Sequence, residues 1–311
     1  MGAERALRME PWVVSLSAMH ISVCICTYRR PELLRALLEA LEHQATGDAF
    51  TFSVVVSDND LALSGRSVVE AFAARSPIHI VYCTEPRRNI ALARNRAVEH
   101  AWGKFVAWID DDEFPAPDWL RILVAAAERY DVAGVLGPVR PHFDEPPPRW
   151  LVDGRFCERA EYPTGTLMHW SRSFAGNSLL RLDLLRQHGS PFCAEFGLGG
   201  EDVDFFRRMT SQGHGFVWCN EAVVHELVPP SRWTRSYRLK RAMMLGRSSL
   251  KLGGGLALVK SFLAVPVYLL VLPVTIVFGQ HVFMKYGMKL SGHLGRLLAW
   301  CGLNPIKERP G

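Results

Sequence analysis

Short apolar runs, each closed by polar or acidic residues, alternate with stretches of helical periodicity along the first half of the chain. Residues 21–26 (ISVCIC), 52–57, 78–83 and 105–109 (FVAWI) have the length and the β-branched or aromatic bias of strands buried on both faces. Between the first two, Leu33, Leu34, Leu37, Leu38 and Leu41 recur at helical spacing behind Pro31, which suits a first helical turn. Residues 89–102 carry Ile90, Ala93, Ala97, Val98 and Ala101 as a narrow stripe, and Gly103 ends that helix. A helix over 119–129, a strand over 132–139, a proline-rich loop over 141–148 and a strand pair at 216–220 and 222–224 follow. Strand and helix in alternation predict an α/β fold with a doubly wound sheet. In such sheets ligands bind beyond the carboxyl ends of the strands, so Thr27, Asp58 and the triplet Asp110, Asp111 and Asp112 are expected to face one crevice.

The triplet has two readings. Three adjacent carboxylates repel one another and lose solvation at the mouth of a core strand, which favours a neutralising cation, and oxygen ligands suit Mg²⁺ or Mn²⁺. The other reading is an acidic turn in which Asp118 caps the helix that follows. Residues 196–206 (FGLGGEDVDFF) pose a similar choice, since the glycines allow close backbone approach to a ligand while Glu201 and Asp202 equally complement a helix dipole. Gly176 and Asn177 precede an apolar run, and His225-Glu226 closes the last strand. Arg94 and Arg96 lie on different faces of their helix.

Charge is unevenly distributed. Of 36 Lys and Arg, 13 lie from Arg232 onward against the single acid Glu308, so a body of net −7 is joined to a tail of net +12. That asymmetry points to anionic lipid ahead of nucleic acid, and no nucleic-acid partner is expected. Residues 262–278 (FLAVPVYLLVLPVTIVF) are 17 positions without a charge, about 25 Å of helix against a bilayer core of about 30 Å. Pro266 and Pro273 argue against one straight helix, so the segment either spans or lies re-entrant at the interface, with the heavier upstream charge placing the body on the cytoplasmic side of the inner or plasma membrane. The seven cysteines, an odd number without a CxxC pair, argue against a disulfide framework or a structural zinc. The first 19 residues read as a loose leader without a secretory signal, and Ala6 stands where myristoylation favours Ser or Thr. The expected organisation is a leader over 1–19, a catalytic domain over 20–247 and a membrane-associated helical region over 248–311.

With CICTYRRPELL, VVSDND, EPRRNIALARNRAVEHA, WIDDDEFPAPDWL, GPVRP, FGLGGEDVDFF and WCNEAVVHELVPPSR in order over 21–247, the chain resembles family 2 glycosyltransferases of the GT-A fold, near bacterial succinoglycan-type exopolysaccharide enzymes. The resemblance implies a Rossmann-like mixed sheet flanked by helices and a nucleotide-sugar donor, a UDP-sugar by preference. Thr27, Tyr28 and Arg30 would begin the nucleotide pocket, with Asp58 at the base or ribose and Arg94 near the base or diphosphate. Asp110 and Asp111 would face the nucleotide sugar, and Gly176, Asn177 and Glu201 would add to that side. Asp112, with Asp110 and an additional His225, would hold a divalent cation on the diphosphate, and Asp202 would be the catalytic base of an inverting transfer to a lipid-linked or growing polysaccharide. Two alternatives stand beside this: a nucleotidyltransferase, which wants a phosphate loop that CTYRRPELL does not supply, and a catalytically silent membrane scaffold.

Overall fold

The computed structural model describes residues 19–303 except 188 and 198, together with 305 and 306. The leader therefore lies outside the described residues, apart from Met19. The elements in chain order are β1 (Met19–Thr27), α1 (Pro31–Glu42), β2 (Phe50–Asp58), α2 (Arg66–Ala73), β3 (Ile80–Thr84), α3 (Ile90–His100), β4 (Phe105–Trp108), β5 (Glu113–Pro115), α4 (Trp119–Tyr130), β6 (Gly134–Leu136) and β7 (Val139–His142). They continue with α5 (Arg149–Asp153), β8 (Ser178–Arg181), α6 (Leu182–Arg186), α7 (Glu201–Ser211), β9 (Phe216–Trp218), β10 (Val224–Leu227), α8 (Arg235–Thr275) and α9 (Gln280–Trp300).

Seven strands form one mixed sheet in the order β3-β2-β1-β4-β8-β6-β9, and β5-β10-β7 form a smaller one. β1 runs parallel to both β2 and β4, and β8 enters antiparallel between β4 and β6. Alternation along these buried strands feeds two cores. Ile21, Val23, Ile25, Val54, Val56, Phe105 and Ala107 pack on one face under the leucines of α1 and the apolar side of α4. Cys24, Val55, Val106 and Trp108 pack on the other against Ala97 and Val98 of α3 and Phe205 and Phe206 of α7. A strand apolar on both faces is what a sheet covered by helices on both sides requires.

Three departures from the expected elements have physical causes. The strand expected over 132–139 divides into β6 and β7, which belong to different sheets. It breaks at Gly137-Pro138, where a Cβ on Gly137 would lie 2.3 Å from the Ala222 carbonyl oxygen. The pair expected at 216–220 and 222–224 likewise separates, β9 pairing with β6 and β10 with β5 and β7. Asp118 stands at the cap position of α4 without a side-chain bond to the helix backbone and instead meets Arg121.

α8 begins at Arg235 and so crosses the boundary expected at 247/248. Its first half is fixed to the body: Arg238 donates to the Phe156 carbonyl at 3.1 Å and Lys251 to the Glu195 carbonyl at 2.6 Å. The helix then bends sharply, because the Arg296 guanidinium of α9 reaches both Ser249 (2.9 Å) and Ser261 (2.7 Å). α9 meets the first half where Gly246 faces Gly292 and returns along the second half with Tyr286 beside Tyr268 and Trp300 beside Phe262.

Candidate active site

β4 leaves the large sheet at Trp108, and the chain enters the small sheet at Glu113, so Asp110, Asp111 and Asp112 occupy the junction between the two. They open onto a crevice of about 610 Å³. Its walls are the loop after β1 (Thr27, Tyr28, Arg30), Arg94 of α3, Gly176 before β8, and Glu201 and Asp202 at the start of α7. Glu226 of β10 and residues from Arg232 to Leu245 close the remaining side.

An alternating chain of charges runs across the floor. Thr27 donates its hydroxyl to Asp111 at 2.8 Å, and Arg30 donates to Asp111 at 3.1 Å and to Asp112 at 3.0 Å. Arg232 donates to the same Asp112 oxygen at 2.7 Å and to Glu226 at 2.8 Å, while Arg159 holds the other Glu226 oxygen at 2.9 Å. Burial alone would raise the Asp112 carboxyl, but Arg232 and Arg30 outweigh it and hold that group below the usual carboxylate range. Asp111 is pushed the other way, burial exceeding the pull of Arg30. Glu113, behind the triplet, is driven well up by burial and then by Asp110, and it accepts the Asp110 backbone N–H at 3.0 Å.

A second ion pair backs the opposite wall. Arg94 is almost fully buried, lies 3.0 Å from Glu201 and 3.6 Å from Asp110, and is flanked by the rings of Trp108 and Phe192. Burial opposes its charge, but Glu201 and Asp110 prevail and hold the guanidinium protonated. Gly199 and Gly200 enter α7 at φ +134° and +99°, which only glycine adopts without strain, and this turn presents Asp202 to the crevice. The Asp202 carboxylate accepts the Ala175 N–H at 3.4 Å. A Cβ on the adjoining Gly176 would lie 3.1 Å from Asp110, so one backbone segment separates the two carboxylates.

The fold does not bring every expected site residue to this crevice. Asp58 is fully buried next to it, accepting from the backbone N–H groups of Asp60 and Gly65 and from the Tyr82 hydroxyl. Asn177 is a structural tie: its side chain accepts from the Trp119 indole and donates to the Pro138 and Ala222 carbonyls. His225 is exposed, stacks over Phe114 in the small sheet and is absent from the crevice lining, where its neighbour Glu226 stands instead. Glu226, Arg159 and Arg232 are the polar residues of the floor that sequence reasoning missed. For Glu226 the available signal was strand alternation, which puts only one member of His225-Glu226 on each face.

The donor set for a cation is carboxylate oxygen, which matches Mg²⁺ or Mn²⁺. Among the described residues no cluster of three or more His, Cys, Asp or Glu is arranged to enclose an ion. Asp110 and Asp112 both line the crevice, with Asp112 held by Arg30 and Arg232; since Mg²⁺ is ordinarily held on substrate phosphates with one or two carboxylates, a cation on these two would need a diphosphate to complete its ligands.

The model of the family described as Glycosyl transferase family 2 matches residues 22–194. The succinoglycan biosynthesis protein ExoM of Rhizobium meliloti is 36% identical over 236 residues, 74% of each chain. A validoxylamine A glucosyltransferase of Streptomyces hygroscopicus is 29% identical over 62% of this chain, which spans only 48% of that protein. Among solved structures, a mannosyltransferase of Pyrobaculum calidifontis in complex with GDP-Man and Mn²⁺ superposes with a TM-score of 0.57 at 19% identity, covering 96% of this chain and 80% of that one. S. aureus TarS 1–349 in complex with UDP-GlcNAc gives 0.54 at 15% identity, covering 93% of both. These two likenesses establish the GT-A-like fold.

Proposed function

The chain belongs to glycosyl transferase family 2, and from that premise we propose that it is an inverting hexosyltransferase which moves a sugar, glucose by preference, from a UDP-sugar to a lipid-linked or growing exopolysaccharide on the cytoplasmic side of a membrane. The observation that carries this reading is the arrangement of carboxylates around one crevice, with Asp110 and Asp112 on one side of the Ala175-Gly176 backbone and Asp202 on the other. The two halves of the reaction need these separate positions. In an inverting transfer the acceptor hydroxyl attacks the anomeric carbon opposite the departing diphosphate, and a carboxylate takes its proton as it does so. Asp202 serves as that base. Its backbone contact through Ala175 orients the carboxylate, and the apolar Met244 and Leu245 border the same part of the crevice.

The leaving diphosphate gathers negative charge, and Asp110, Asp112, Arg30 and Arg232 are the groups that would receive it. A divalent cation held by Asp110 and Asp112 would supply Lewis-acid stabilisation of that charge. Arg30 and Arg232, freed from their carboxylates as the diphosphate arrives, would hold its oxygens through their paired N–H donors. UDP as carrier is favoured by the UDP-GlcNAc bound to TarS, and glucose by the glucosyltransferase among the relatives. The nucleotidyltransferase alternative does not survive the family assignment.

The test is Asp202→Asn, which keeps shape and removes the base. Transfer from UDP-glucose to lipid-linked acceptors in a membrane extract is expected to fall by about 10²–10⁴-fold, the usual contribution of a general base, with UDP affinity retained. Loss of UDP binding in parallel would take Asp202 out of that role.

A further inference from the structure

One helical segment among the described residues, Gly255–Phe278, is long and apolar enough to cross a bilayer by length and composition. Its surroundings in the fold are incompatible with a crossing. Its upstream end is tied to the catalytic body and its downstream end to the foot of α8, which Arg238 fixes to that body. On the upstream side Lys251 donates to the Glu195 carbonyl at 2.6 Å, and on the downstream side Gln280 accepts from Arg235 at 2.9 Å, three residues beyond Arg232 on the crevice floor. A segment that traversed a core of about 30 Å would leave its far end on the other side of the membrane.

The partner helix gives the same answer by depth. Tyr268, midway along the apolar segment, has its ring 6.0 Å from that of Tyr286 on α9. An upright segment would therefore hold Lys285 and Lys289, both exposed, near the bilayer midplane. A lysine stem reaches only part of the roughly 15 Å to the headgroups, and a charge left at that depth is strongly disfavoured. Laid flat, the same pair of helices has no such conflict. Leu256, Leu263 and Leu270 on the second half of α8, and Val277 just beyond it, are between 68% and 84% exposed. Lys260 on the same segment and Lys285 and Lys289 on α9 are exposed, and ammonium groups of this kind suit phosphate headgroups.

We propose that the bent α8 and the returning α9 lie along one leaflet of an anionic bilayer, with the apolar face of residues 256–278 inserted to the level of the acyl chains and neither helix crossing. This deepens the membrane association in the proposed function, which leaves topology open, and it is argued without reference to the chemistry of transfer. It also sets the crevice at the membrane surface, because Tyr237, Arg241, Met244 and Leu245 of the same helix form one of its walls.

The experiment pairs topology with binding. In a Cys301→Ser background, Lys285→Cys on α9 and Glu145→Cys on the body are labelled with a membrane-impermeant maleimide in sealed vesicles, before and after permeabilisation. Both positions are expected to react from the same side; reaction from opposite sides, or a Lys285→Cys that stays unlabelled until the bilayer is dissolved, overturns the proposal. In parallel, purified full-length protein is floated with phosphatidylglycerol vesicles. Wild type is expected to float, and Leu263→Glu/Leu270→Glu to stay behind while still binding UDP. Flotation of that variant, or none by wild type, overturns the apolar face as the membrane contact; loss of transfer alone, with labelling and flotation as expected, bears only on the proposed activity.

Discussion

Arg232 and Asp112, 120 positions apart in the chain, are joined by a 2.7 Å charge-assisted hydrogen bond in which neither side chain is more than 11% exposed. The guanidinium stands on the carboxylate oxygen that a divalent cation would claim, and Arg30 shares that oxygen. A cation on Asp112 would therefore compete with the arginines until a diphosphate supplied them with new acceptors. In Arg232→Gln, Mn²⁺ is expected to bind the nucleotide-free protein roughly tenfold more tightly, ~1.4 kcal/mol, while UDP binds more weakly. Free Mn²⁺ measured by electron paramagnetic resonance, with and without UDP, checks both halves. An unchanged affinity without nucleotide would mean that the carboxylate is already available.

Gly176 brings a backbone segment close to Asp110. An added Cβ would meet Asp110 at 3.1 Å and Glu113 at 3.2 Å, and Glu113 is fixed by its bond from the Asp110 N–H. Asp110 is the partner able to give way. Gly176→Ala is therefore expected to weaken UDP-sugar binding by about tenfold or more with a stability change near 1 kcal/mol, within the range of ordinary substitutions. Calorimetric titration and a urea melt on the same preparation separate the two effects.

Much of the fold was legible because strands buried on both faces leave an unbroken apolar signature: β1, β2 and β4 and the leucine stripe of α1 all follow from it. The crevice followed in turn, since polar residues gather where those strands end. What escaped was contact between distant segments. Arg232 reads as the first charge of a basic tail until a short 3-10 turn over Pro230–Trp233 folds it back onto Asp112. Asn177 beside Gly176 looks like a ligand donor, yet its side chain bonds the Trp119 indole of α4 and the carbonyls of Pro138 and Ala222, just ahead of β7 and β10. At His225-Glu226 periodicity states that the two side chains face opposite ways, and only the pairing of β10 with β5 says which one faces inward.

The Arg94–Glu201 pair makes a stability prediction. Both side chains are nearly inaccessible, at 7% and 5% exposure, so removing the cation strands a buried carboxylate. Arg94→Met is expected to destabilise the protein by about 3–5 kcal/mol, and adding Glu201→Gln to recover part of that loss. Denaturant melts of both single variants and the double variant measure the coupling. Additive losses would show that the pair is not an energetic unit.

His20 supplies a pH dependence remote from the crevice. Its ring stacks on Trp102, bonds Thr51 at 2.7 Å and Ser53 at 3.0 Å, and is only 6% exposed. Burial first, then the nearby His79, lower its pKa from the ordinary 6.5 to about 4. In the unfolded chain the imidazole takes up a proton as pH falls through 6.5, whereas the folded protein resists until about 4. Stability is thus fully present above pH 6.5 and is lost progressively between 6.5 and 4, by at most ~3 kcal/mol from this residue. Urea midpoints measured from pH 7 to pH 4 should fall less steeply for His20→Gln, which can keep a hydrogen bond to the serine or threonine but cannot titrate. Parallel slopes for the two proteins would assign the acid sensitivity to other groups.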